Sequence, residues 1–126
     1  MNTLSIKETQ HSPNVHCNFE SGLIELTGKS LPDEAYDFYE PILQWVEKYS
    51  ETPQPNTTIN IHLVYFNTSS SKILLELFKK LAGIYDGEHT VTVNWHYLID
   101  EEDMLEAGED YQAIVKIPFN FIETKE

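Results

Sequence analysis

The spacing of hydrophobic and polar positions changes several times along the chain, and each change predicts an element. A short strand is expected at Thr3 to Ile6, followed by the turn-rich His11-Ser12-Pro13-Asn14. Val15 to Phe19 and Leu23 to Thr27 are β-prone runs joined by Glu20-Ser21-Gly22, which predicts an antiparallel hairpin with glycine at the special backbone angle. Ser30-Leu31-Pro32-Asp33 reads as a helix start, with a capping hydroxyl, a proline in the first turn and an acid three residues after the cap. From there Phe38, Tyr39, Ile42, Leu43, Val46 and Tyr49 recur at three- and four-residue spacing, so one helix face belongs to the core. Pro41 falls inside this pattern. An interior proline costs about 3 kcal/mol unless the helix bends or restarts, so one bent helix is expected over Asp33 to Tyr49.

The second half alternates strand and helix signals. After the proline-bearing connector Glu51 to Thr57, the run Ile59 to Phe66 alternates and then becomes continuously apolar, which predicts a strand covered on both faces at its far end. The polar stretch Asn67-Thr68-Ser69-Ser70-Ser71-Lys72 leads into a helix carrying Ile73, Leu74, Leu75, Leu77, Phe78 and Leu81 and stopped by Gly83. Beyond the turn Asp86-Gly87, a strand is expected over Thr90 to Leu98, with Val91, Val93, Trp95 and Tyr97 on one face. A short acidic helix then follows over Asp100 to Gly108, capped by Asp100 with Met104 and Leu105 turned inward, and a last strand over Tyr111 to Phe119. The order β-β-β-α-β-α-β-α-β describes an α/β fold, a mixed sheet with an antiparallel start and parallel crossover units, in one domain over residues 1–126.

Charge narrows the class of partner. The chain of 126 residues carries 21 Asp+Glu against 8 Lys+Arg, a formal net charge of -13, and every one of those bases is lysine. Such a surface repels phosphate backbones and has no guanidinium fork for phosphate or guanine, which argues against nucleic acid and anionic membranes. No run is long and apolar enough for a membrane span, the N-terminus lacks a signal-peptide pattern, and Cys17 alone forms no intrachain disulfide. A cytoplasmic domain without cofactor, meeting other proteins, is expected.

Few residues form a catalytic pattern. His11, His16, His62, His89 and His96 show no metal-ligand spacing, and Cys17 beside His16 on a strand points to the opposite face. Asp100 to Asp110 holds seven acids in eleven residues, but the alternate oxygen ligands and the glycine of a calcium loop are missing. Two readings stay open for Asp100, Glu101, Glu102, Asp103 and Glu106: a solvated helix face, or a docking surface for a basic partner. Thr68, Ser69, Ser70 and Ser71 follow a strand at whose carboxyl end an α/β sheet usually meets its ligands. One hydroxyl suffices as helix cap, leaving three spare. A phosphate there would meet unpaired N–H groups and Lys72, so this turn is also a candidate phosphorylation switch.

Several segments together resemble the SiaC family of bacterial regulatory phosphoproteins, whose fold is like that of STAS-type anti-anti-sigma factors. They are Gly28-Lys29-Ser30-Leu31-Pro32, Phe38-Tyr39-Glu40-Pro41-Ile42 with Trp45 and Tyr49, Trp95-His96-Tyr97, and Asp103-Met104 with Ala107-Gly108-Glu109-Asp110. The most specific is Tyr65-Phe66-Asn67-Thr68-Ser69-Ser70-Ser71-Lys72. The resemblance implies a STAS-like partner switch without enzymatic activity of its own. Thr68 would be phosphorylated by a SiaB-like protein kinase and dephosphorylated by a SiaA-like PP2C-type phosphatase. The unphosphorylated chain would bind and activate a SiaD-like diguanylate cyclase, raising cyclic-di-GMP and promoting biofilm formation and aggregation. Asn67, Ser69, Ser70, Ser71 and Lys72 would form the switch loop. The competing readings are a constitutive interaction domain, in which the hydroxyls only cap a helix, and a small hydrolase using the acids near Asp100.

Overall fold

The computed structural model describes residues 3–32 and 34–125. Strands β1 (Leu4–Ile6), β2 (Asn14–Asn18) and β3 (Leu23–Ser30) are followed by helix α1 (Ala35–Tyr49). Next come β4 (Asn56–Phe66), α2 (Thr68–Ala82), β5 (Thr90–Leu98), α3 (Glu102–Val115) and β6 (Phe119–Thr124). All six strands form one sheet in the order of the chain. The β1/β2 and β2/β3 pairs are antiparallel, and the β3/β4, β4/β5 and β5/β6 pairs are parallel. Each parallel pair is joined through a helix, and the strands always step in the same direction. Right-handed crossovers therefore place α1, α2 and α3 on one face of the sheet, with α2 packed between the other two.

Burial follows from that one-sided layering. Ile24, Leu26, Ile59, Ile61, Leu63, Val91, Val93 and Trp95 face the helices and are buried. Their neighbours His16, Glu25, Asn60, His62, Asn94 and His96 are half-buried on the other face. A row of side chains crosses that open face: Glu25 accepts from Asn60 Nδ2 at 3.2 Å, Asn60 Oδ1 from Asn94 Nδ2 at 2.8 Å, and Asn94 Oδ1 from Asn120 Nδ2 at 3.0 Å. Each bond joins residues directly opposite one another on neighbouring strands.

The hairpin, the nine-element order and the helix over Phe38 to Tyr49 are as expected from the sequence. Gly22 takes φ +66°, and a Cβ there would lie 2.6 Å from the Asn56 carbonyl oxygen and 2.7 Å from Tyr49 Oη, so the hairpin turn lies tight against the start of β4. Helix α1 runs unbroken through Pro41, which is exposed on the side away from the sheet.

Four expectations fail. Ser30 does not cap α1: it ends β3 fully buried, while the N-cap is Glu34, which makes no side-chain capping bond. Asp33 lies outside the described residues. The acidic helix is longer than Asp100 to Gly108 and is not capped by Asp100; it spans Glu102–Val115 with Glu101 as N-cap. Tyr111 consequently sits on α3, and the last strand is Phe119–Thr124. Tyr111 is buried against Phe78 and Trp95, which are core contacts on the helix side. The far end of β4 is not covered on both faces, because all the crossovers lie on one side. Val64 is 40 % and Tyr65 57 % exposed.

Candidate functional site

The carboxyl edge of the parallel strands carries the hydroxyl-rich turn. Asn67, in extended conformation, is the N-cap of α2, and its Oδ1 accepts from the Ser70 N–H at 2.9 Å. None of the four hydroxyls therefore serves as the cap, because the amide side chain before them fills that role. Ser71 N–H donates to the Asn67 carbonyl at 2.9 Å, closing the first turn.

Two of the four hydroxyls are structural. Ser70 is fully buried, donates to the Ser30 carbonyl at 3.1 Å, and accepts from Ser30 Oγ at 2.8 Å. The one hydroxyl proton of Ser30 is spent on that bond, so the 2.5 Å contact between Ser30 Oγ and Tyr39 Oη has the tyrosine as donor. Burial pushes the Tyr39 phenol up to about 12, so it keeps its proton at physiological pH. Ser71 is tied to α3: Tyr111 Oη donates to the Ser71 carbonyl at 2.8 Å, and the two hydroxyls lie 3.1 Å apart. The first turn of α2 is thus bolted to β3, α1 and α3. Removing the Ser30 hydroxyl takes away the nearest acceptor of a buried tyrosine and the donor to Ser70 Oγ together, whereas removing the Tyr39 hydroxyl leaves both serines paired. Ser30→Ala is accordingly expected to cost about 2 kcal/mol and Tyr39→Phe about 1 kcal/mol in urea unfolding. Equal costs would mean that the hydroxyls are not linked in this order.

Thr68 and Ser69 occupy the first two positions of α2 and are exposed, as is Lys72 one turn later. A group added to Thr68 would stand on a rigid base beside N–H groups that have no partner within the helix.

The start of α3 reaches the same edge. Val64, Tyr65 and Phe66 line a cavity of about 170 Å³ with Glu101, Asp103 and Met104. Trp95 Nε1 donates to the Met104 carbonyl at 2.9 Å and pins this turn to β5. Asp100, Glu102 and Glu106 are exposed. Two of the five acids singled out from the sequence, Glu101 and Asp103, thus line this cavity beside β4, and all five are solvent-exposed. A larger concavity of about 620 Å³ lies on the other side of Val64, lined by Glu8, Thr9, Gln10, His11, Gly28, Lys29 and Leu31.

The remaining candidates are dispersed. Cys17 is buried among core side chains while His16 faces the open side of the sheet, so they do not form a nucleophile and base. Burial pushes the Cys17 thiol up to about 12. Cys17 is therefore expected to resist a thiol reagent such as dithionitrobenzoate at pH 8 until the chain is unfolded, and rapid reaction of the native protein would contradict this burial. His62 and His96 stack across β4 and β5 with centroids 5.2 Å apart. Burial, and then the His62 ring, hold His96 below its usual range. Among the described residues no three His, Cys, Asp or Glu side chains converge as a metal site.

Three contributors were not readable as site residues. Ser30 looked like a cap, and Tyr39 and Tyr111 fitted core periodicity or a strand; nothing local marks a hydroxyl whose partner lies 40 positions away. The exposure of Val64 and Tyr65 was hidden inside an apolar run.

A sequence model of the SiaC family regulatory phosphoproteins matches residues 6–124. The chain belongs to the SiaC family. It is 28% identical over 119 residues to an uncharacterized protein of Pseudomonas aeruginosa strain UCBPP-PA14, covering 94% of each. Apo-SiaC from Pseudomonas aeruginosa superposes with a TM-score of 0.85 at 24% identity, over 97% of this chain and 99% of that one. A chain in the crystal structure of the diguanylate cyclase SiaD in complex with its activator SiaC, from the same organism, gives a TM-score of 0.89 at 26% identity, over 96% and 99%. The mixed six-stranded sheet and three helices are thus the SiaC fold. Among the described residues no helix is long and apolar enough to cross a membrane.

Proposed function

We propose that this SiaC-family chain is a cytoplasmic partner switch without turnover of its own, set by phosphorylation of Thr68. In its unphosphorylated form it binds and activates a diguanylate cyclase like SiaD, and so promotes cyclic-di-GMP synthesis, biofilm formation and aggregation. A SiaB-like kinase adds the phosphate and a SiaA-like PP2C-type phosphatase removes it. The observation that carries this reading is the division among the hydroxyls: Ser70 and Ser71 are tied into the fold, Asn67 is the cap, and Thr68 and Ser69 stand exposed on the rigid turn they make, of which the family resemblance favours Thr68.

That geometry favours control at the interface over refolding. A dianion at the first position of α2 meets the positive end of the helix dipole, which stabilises it where it stands. The nearest lysine in sequence, Lys72, is a point charge with no planar fork. A partner closing over Thr68 has to strip water from the phosphate or supply the cation itself.

The test is reconstitution of the cyclase with wild-type chain or Thr68→Ala, with and without the kinase and ATP. Cyclic-di-GMP production should rise with either protein, and the kinase should abolish the rise for wild type alone. Equal inhibition of both proteins by the kinase would sink the assignment of Thr68. Absence of activation by the unmodified chain would sink the cyclase reading.

A further inference from the structure

The pairing of β3 with β4 contains an irregularity beside the switch. Gly28 lies opposite Leu63 and Lys29 opposite Tyr65, so Val64 is an extra residue in β4. A bulge of this kind reverses the alternation beyond it. Phe66 consequently turns to the helix side, edge-on to Trp95 at 6.3 Å, and Val64 and Tyr65 both stay on the open side. Two consecutive large apolar side chains, 40 % and 57 % exposed, form a ridge between the 620 Å³ and 170 Å³ concavities that Val64 helps to line. Ile99, 48 % exposed, follows the neighbouring strand end. The side of the ridge toward α3 is acidic, with Glu101 and Asp103 in the smaller cavity and Asp100 beside Ile99.

A monomer gains nothing from an unpaired bulge that pushes a valine and a tyrosine into water. A partner with apolar side chains for the ridge and cations for the acidic side gains from both. From this ridge, and resting on the partner-switch reading above, we infer that the Val64–Tyr65 bulge is the docking site for a basic amphipathic segment of the cyclase. Its apolar residues cover Val64 and Tyr65, and its lysines or arginines meet Glu101 and Asp103. The exposed tyrosine has the character of a binding anchor: large, aromatic, and stiff enough to lose little freedom on contact. The formal charge of -13 draws such a segment in over a distance. Thr68 is three residues from Tyr65 in sequence, which places the switch at the margin of the same contact.

Affinity for the cyclase should be measured by calorimetry with unphosphorylated full-length chain at about 50 mM and about 500 mM salt, conditions that differ in screening length by roughly threefold. Tyr65→Ala should weaken binding roughly tenfold or more at both salts, as an anchor does. Asp103→Lys, which disturbs no apolar packing, should weaken it about tenfold at low salt and much less at high salt. Glu47→Gln, on the exposed side of α1, should change nothing, and circular dichroism with a thermal melt should report native fold for all three variants. Wild-type binding with both Tyr65→Ala and Asp103→Lys within twofold of it would overturn the docking site and leave the partner switch standing. Failure of the wild-type chain itself to bind the cyclase would overturn both.

Discussion

The chain phosphorylated on Thr68 is expected to bind its cyclase at least about a hundredfold more weakly than the unmodified chain, while melting within about 2 °C of it. A hundredfold loss corresponds to about 2.7 kcal/mol, which lies within the range for taking a charged group out of water without a full set of partners. The thermal half of the expectation comes from the turn itself. Asn67 caps α2 and Ser70 and Ser71 hold its first turn, so modification of Thr68 breaks no bond that the fold uses. A dianion at this helix start gains about 0.3–1 kcal/mol from the helix dipole, enough to cancel small losses. Thr68→Asp brings one charge and fewer acceptors and should cost about threefold to tenfold in affinity. The measurement is paired calorimetry and thermal unfolding on singly phosphorylated protein verified by intact mass. A fall in melting temperature above about 5 °C together with lost binding would show that the phosphate refolds the domain.

Replacing Gly22 with alanine should be among the most damaging single-methyl changes, costing about 3 kcal/mol and lowering the melting temperature by roughly 10 °C. About 1 kcal/mol comes from forcing an L side chain to the left-handed φ of +66°. The remainder comes from contact with the Asn56 carbonyl at 2.6 Å and the Tyr49 hydroxyl at 2.7 Å. The first is backbone, and the second is engaged with Thr57 Oγ1 at 2.8 Å, so neither moves without loss elsewhere. Gly87→Ala is the matched control: nothing lies within 4 Å of the added atom, and the change should stay within about 0.5 kcal/mol. Equal melting temperatures for the two variants would show that the hairpin turn relaxes freely.

How much of this was legible depended on the range of the forces involved. Short-range signals located elements well: the Gly22 hairpin, the periodic face of α1, the Asn67 to Lys72 turn and the Thr90–Leu98 strand are all set by neighbours in sequence. Tyr111 to Val115 read as strand because its apolar spacing is ambiguous over so few residues. Packing on Phe78 and Trp95 settles it as helix. Ser30 carried a genuine cap pattern, but its hydroxyl is worth more buried against Tyr39 and Ser70 than at a solvent-exposed helix end. The Val64 bulge left no local trace, because a bulge is a property of two strands and only one of them is read at a time. The choice of Thr68 as the switch residue rests on the resemblance to the SiaC family; the residues alone present four equivalent hydroxyls, and tertiary hydrogen bonds set Ser70 and Ser71 apart from Thr68 and Ser69.

The row of Glu25, Asn60, Asn94 and Asn120 bears on how the strands find their alignment. Sliding β4 past β5 by two residues would keep every apolar side chain on its proper face and so would escape the usual penalty for a slipped sheet. Such a slip would set Asn60 opposite Thr92 or His96 instead of Asn94 and break the row at its centre. The amides thus exclude the misalignments that hydrophobic patterning tolerates, and do so across three successive parallel junctions at once. Asn94→Thr is expected to leave helical circular dichroism unchanged while speeding amide hydrogen exchange along β5, the strand that carries the Trp95 clamp on α3.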